Sequence, residues 1–120
     1  MNSVVEILAT LRTSVGAKGC LVMMHDRIAV ADSIEDRLQP DQVAGLTSFL
    51  TSTLTRVLAE AGMGSFTTLT MHSAHGDVLV QDMGESYLVL VLDQLHPLEI
   101  TRPEIRGAVR DLRRVLQISL

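Results

Sequence analysis

Four histidines, one cysteine and a scatter of carboxylates are the side chains here that could ligate metal, attack a substrate or move protons. Metal chemistry needs ligands at recurring spacings, and His25, His72, His75 and His96 show none. His72 and His75 straddle an expected turn and share no helical face. Cys20 opens the apolar run Cys20-Leu21-Val22-Met23-Met24, where a free thiol is a buried and inert group. Asp77, Asp82 and Asp93 fall near expected strand ends without the partner pattern that separates an acid from a base. Gly62-Met63-Gly64 is too short for a phosphate loop and precedes a strand, whereas phosphate loops precede a helix. The residues therefore predict no catalytic group, no metal, no cofactor and no enzyme.

What remains is surface chemistry. Arg102, Arg106, Arg110 and Arg113 recur at helical spacing, with Arg114 beside them. They form either a solvated face balanced by Glu104 and Asp111 or a landing surface for an acidic partner. The segment has no aromatic side chain on which bases could stack, and the chain's net charge is −4. Nucleic acid is not an expected partner.

With 120 residues, 47% of them hydrophobic and 20% charged, the chain has apolar material for one core and is expected to form a single domain over residues 1–120. Acidic residues dominate up to position 101, and five arginines against two acids follow it. A lone cysteine permits no intramolecular disulfide and suits a reducing compartment. Met1-Asn2-Ser3-Val4-Val5-Glu6 lacks a positively charged lead. No apolar run approaches the roughly 18 residues that span a bilayer. The expectation is a cytoplasmic protein without membrane insertion.

The elements that must position these groups follow from periodicity. Ser3 and Glu6 have capping-box spacing, and Val4, Leu8, Leu11 and Val15 then share a helical face that ends at Gly16. The Cys20–Met24 run reads as a strand covered on both faces, with a turn at His25-Asp26-Arg27 and a short second strand from Ile28 to Ala31. Pro40 in a first turn opens a long helix over about 41–61, which stops at Gly62-Met63-Gly64. Phe66 to Ser73 alternates as a half-buried third strand. Val78–Met83 and Tyr87–Leu92 complete a meander, the last strand apolar throughout. Beyond Pro97, Thr101 and Glu104 form a second capping box ahead of Ile105, Val109, Leu112 and Leu116. The doubly apolar first and fifth strands must be neighbours inside the sheet, which predicts an α/β fold with strand order 2-1-5-4-3 and helices on both faces.

That element order, together with Gly16-Ala17-Lys18-Gly19-Cys20-Leu21-Val22, Gly62-Met63-Gly64 and Ser86-Tyr87-Leu88-Val89-Leu90, resembles the Roadblock (dynein light chain) domain, in its MglB-like bacterial branch. The likeness covers nearly the whole chain and lies in order and spacing rather than in any single residue. It implies a three-layer α/β/α, profilin-like fold: a five-stranded antiparallel sheet with one helix on one face and two on the other. It also implies a non-enzymatic dimer, joined sheet edge to sheet edge, that serves as an adaptor or binds a small Ras-like GTPase. One departure is the His25-Asp26-Arg27 hairpin, where a small residue such as glycine is expected.

Two features predict the self-association surface. In the middle helix, Val43, Leu46, Leu50, Leu54, Val57, Leu58 and Ala61 form a stripe expected to pack on the sheet. Phe49 projects well away from it. There Phe49 could anchor a contact between twofold-related helices, with Gly45, Ser48 and Ser52 permitting close approach. The third strand has no lysine, proline or inward charge to protect it, so Phe66, Thr68, Thr70 and His72 are expected to pair with the same strand of a second copy. A small-molecule sensing module of similar α/β/α fold is the alternative. With Phe49, Phe66 and Tyr87 as its only aromatics, the chain is poorly equipped for a ligand cage.

Overall fold

A computed structural model describes residues 3–25, 29–35, 37–93 and 97–119. The elements are α1 (Val4–Val15), β1 (Gly19–Met24), β2 (Ala29–Ile34), α2 (Pro40–Glu60), β3 (Thr68–Ser73), β4 (Gly76–Asp82), β5 (Ser86–Leu92) and α3 (Leu98–Ser119). All strand pairs are antiparallel and the order is β2-β1-β5-β4-β3. This is the expected topology, and it arises because β1 and β5 have no polar face to show to water. Nearly all of their side chains are buried.

Helix ends follow local chemistry. The Ser3 hydroxyl accepts the Glu6 amide at 3.2 Å to start α1, and Gly16 closes it in the left-handed region at φ 70°. After α2, Gly62 takes φ 70°, and the Gly62 and Met63 amides donate to the carbonyls of Ala59 and Leu58. This double closure satisfies two otherwise orphaned carbonyls.

The sheet has a core on each face. The larger lies under α1 and α3, where Leu8, Leu11, Val22, Leu88, Leu90 and Leu112 are buried together. The smaller lies on the α2 side and is built from Leu21, Met23, Val80, Tyr87 and Val89.

Four local expectations are corrected. Strand β2 runs from Ala29 to Ile34 and is longer than Ile28–Ala31, because β1 offers it pairing partners back to Gly19, opposite Ile34. The β1–β2 turn at Asp26 and Arg27, like Ile28, lies outside the described residues. Helix α3 starts at Leu98 rather than at a Thr101 cap; the Thr101 hydroxyl donates back to the Pro97 carbonyl from inside the first turn. Strand β3 starts at Thr68, and Phe66 leaves the strand register to stack on Tyr87, with ring centroids 5.7 Å apart. Burial of that ring outweighs two more residues of edge pairing.

The fourth correction concerns α2. The helix seats Thr47 and Thr51 on the sheet, both buried, and leaves Leu46 and Val57 of the expected inner stripe 42% and 46% exposed. Threonine tolerates burial here because each hydroxyl donates to the carbonyl four residues back, Thr47 to Val43 and Thr51 to Thr47, both at 2.8 Å. The helix is thus rotated so that an apolar flank faces outward.

Candidate functional site

The outward flank of α2 exposes three large apolar side chains, Leu46, Phe49 and Val57. Phe49 is 68% exposed, one turn from Leu46 and two turns from Val57 on the same side of the helix. Gly45 stands in the open, with nothing within 4 Å of where a Cβ would be. Ser48 and Ser52 are half-buried toward the other flank. Of the four α2 positions singled out from sequence, the structure therefore presents Phe49 and Gly45 most openly. It adds Leu46 and Val57, which periodicity alone had assigned to the core.

One edge of the sheet is β3, and α2 makes its closest strand approach to the other edge, β2. Thr68 faces α3, and strand alternation puts Thr70 and His72 on that same face. Thr68 donates to the Gln81 side chain at 2.8 Å, and His72 Nδ1 lies 3.0 Å from the buried carboxylate of Asp77. Leu69 points to the opposite face, into the α2-side core, and half-buried Met71 shares that face by alternation. The predicted interface residues are therefore divided between two layers. Gly45, Ser48, Phe49, Ser52 and Phe66 belong to the α2 side, and Thr68, Thr70 and His72 to the α3 side.

The opposite edge differs in kind. Between β1 and β2 the register shifts at Val22/Met23, and Asp32 stands exposed on β2. A bulge and a charge both discourage a further strand from pairing there. β3 carries neither.

Tyr87 ties α2 to the sheet. Its hydroxyl is influenced by the Thr55 and Thr51 hydroxyls of α2, its ring stacks on His25 at 4.2 Å, and His25 Nε2 meets Asp82 at 2.9 Å. Burial pushes the Tyr87 phenol up from its ordinary value, partly offset by the threonine hydroxyls. The chain thus spends its one tyrosine on bracing the surface that Phe49 occupies.

The arginine series does not form one patch. Arg102 and Arg106 line a groove between α3 and the β3–β4 strands, floored by Leu79, Ile105 and Val109. Arg110 lines the α1–α3 groove and pairs with Asp111 at 3.5 Å. Arg113 lines a third groove with Met24, Met83 and Leu116.

The remaining chemistry-bearing groups stay apart. Among the described residues no group of three His, Cys, Asp or Glu side chains could hold a metal ion; His96 lies outside them. Burial pushes the Cys20 thiol up to about 12, and its Sγ donates to the Leu8 carbonyl at 3.2 Å. No helix among the described residues is long and apolar enough to cross a membrane.

No protein-family model matches the chain. An uncharacterized protein of Methanocaldococcus jannaschii, MJ1340, is 26% identical over 108 residues, covering 90% of this chain and 95% of its own. Among solved structures, MglB of Myxococcus xanthus superimposes with a TM-score of 0.87 over 98% of this chain and 96% of its own, at 17% identity. An MglB with tetrameric arrangement gives 0.84 over 98% and 90%, at 21% identity. The Roadblock/LC7 domain from Streptomyces avermitilis gives 0.74 over 92% and 95%, at 16% identity. With strand order, helix placement and near-complete superposition in agreement, the chain has the Roadblock fold, in the form that MglB proteins share.

Proposed function

We propose that this chain is a non-catalytic regulatory adaptor that works as a homodimer and binds a small Ras-like GTPase or another signalling protein in the cytoplasm. The observation that supports the reading most is Phe49, a bulky aromatic held in water with Leu46 and Val57 exposed on the same side of α2. Large aromatics at the centre of an apolar patch are the usual anchors of protein contacts. A twofold contact would bury Phe49 against the same surface of a second copy while β3 extends the sheet. The MglB solved in a tetrameric arrangement supports self-association of this fold.

Partner binding would then use the doubled surface. Any effect on GTP hydrolysis would come from holding the GTPase's own switch segments in a competent conformation, a shift of population rather than a donated catalytic group. Light scattering of the purified chain should report twice 13.1 kDa, and Phe49→Glu should return a folded protomer. A wild-type protomer at micromolar concentration would end the reading. The chain alone should hydrolyse no nucleotide.

A further inference from the structure

We infer that the groove between α3 and the β3–β4 strands is a docking site for an acidic segment of a partner protein, one that places carboxylates on Arg102 and Arg106 and an aliphatic side chain between them. The inference goes beyond self-association through Phe49, because Arg102 and Arg106 stand on α3, which covers the other face of the sheet from α2.

Charge complementarity selects the occupant. Arg102 and Arg106 are one turn apart, exposed, and without an ion-pair partner among the described residues, whereas Arg110 has Asp111. They stand four residues apart on one face of α3, so the two cations repel each other until an anion arrives between them. The guanidinium fork matches a carboxylate bidentately.

The floor selects the rest. Leu79, Ile105 and Val109 form an apolar base, and Thr68 closes the side toward the edge strand. The Thr68 hydroxyl donates to Gln81, and the Gln81 amide is engaged with the Thr67 and Asp82 carbonyls, so this wall is already satisfied and asks for no polar partner. A volume of about 320 Å³, open to solvent, suits one or two side chains of a peptide better than an enclosed cofactor. The segment has no aromatic platform for nucleic-acid bases.

The test is selection without a presumed ligand. Random dodecapeptides on phage, selected on the immobilised full chain, should converge on acidic residues flanking an aliphatic one. A fluorescein-labelled synthetic consensus peptide should then lose roughly tenfold or more in affinity on Arg102→Glu/Arg106→Glu. The charge-matched control Arg113→Glu/Arg114→Glu should change it less than about threefold. Serine in place of the peptide's aliphatic residue should weaken it as Arg102→Glu/Arg106→Glu does. Circular dichroism and light scattering of both variants should match wild type, which separates a groove defect from loss of the dimer. A basic or uncharged consensus, equal losses in both variants, or Arg102/Arg106-dependent binding of phosphatidylserine vesicles or single-stranded DNA with no peptide selected would each overturn the inference.

Discussion

The hydroxyl of Thr51 donates to the carbonyl of Thr47 at 2.8 Å, and both side chains are buried between α2 and the sheet. This pair decides which flank of α2 is left open to solvent. A polar amide in place of Thr47 has no room or partner there, so Thr47→Asn should destabilise the protomer by about 1–3 kcal/mol in urea unfolding. Leu46→Asn, on the open flank, should cost less than about 1 kcal/mol while weakening self-association. The reverse ranking would mean the helix is seated on its leucines.

Strand β3 should tolerate a charge only at the expense of pairing. Met71→Lys places a cation on an edge that otherwise has none, and lysine is a common means of blocking strand addition. Light scattering should show a shift toward the protomer larger than any fall in its melting temperature that half-burial of Met71 brings.

Gly19 sits where β1 meets β2. A Cβ there would lie 2.9 Å from Ile34 Cγ1 and 3.1 Å from the Ile34 Cα, and a backbone atom cannot swing away as a side-chain tip can. Gly19→Ala should cost about 1–3 kcal/mol through overpacking, measured by thermal or denaturant unfolding. Gly45→Ala, with open space around it, should leave folding intact.

Tyr87 contributes a ring and a hydroxyl that can be separated. Tyr87→Phe keeps the stacking with His25 and Phe66 but drops the hydroxyl that faces Thr55 and Thr51, and should cost no more than about 1 kcal/mol.

Alkaline pH should weaken the fold. Cys20 keeps its proton to about 12 when folded, against an ordinary value of 9.0, so between these values the unfolded chain binds fewer protons than the native one. The stabilisation is complete below about pH 9 and is lost as pH rises toward 12. Tyr87 is shifted in the same direction. The urea midpoint should fall between pH 8 and 11, with a Cys20 contribution on the order of 2 kcal/mol, and Cys20→Ala should flatten the slope. The native thiol should resist alkylation at pH 8.

Much of the architecture is legible along the chain. The unbroken apolar runs of β1 and β5 admit only interior positions, Ser3 and Gly16 frame α1, and Gly62 with Met63 ends α2, because each depends on neighbours a few residues away. Phe49 was likewise visible as an apolar residue outside the core stripe. The α2 rotation was not, since hydropathy ranks leucine above threonine for burial and is blind to a hydroxyl satisfied by its own helix. Phe66 was misplaced for a related reason: alternation assigned it to β3, but the ring opposite it, Tyr87, is 21 positions away.

Sequence by itself determined the number and order of the elements, the strands that must be interior, and the lack of a spaced catalytic or metal motif. Tertiary structure decided which α2 flank stays open, how the arginine series divides among three grooves, and which sheet edge lacks a bulge. The physical reason is range. Caps, periodicity and turn residues act over a few positions, whereas burial and charge pairing are settled between groups that meet only when the sheet and its helices close around one another.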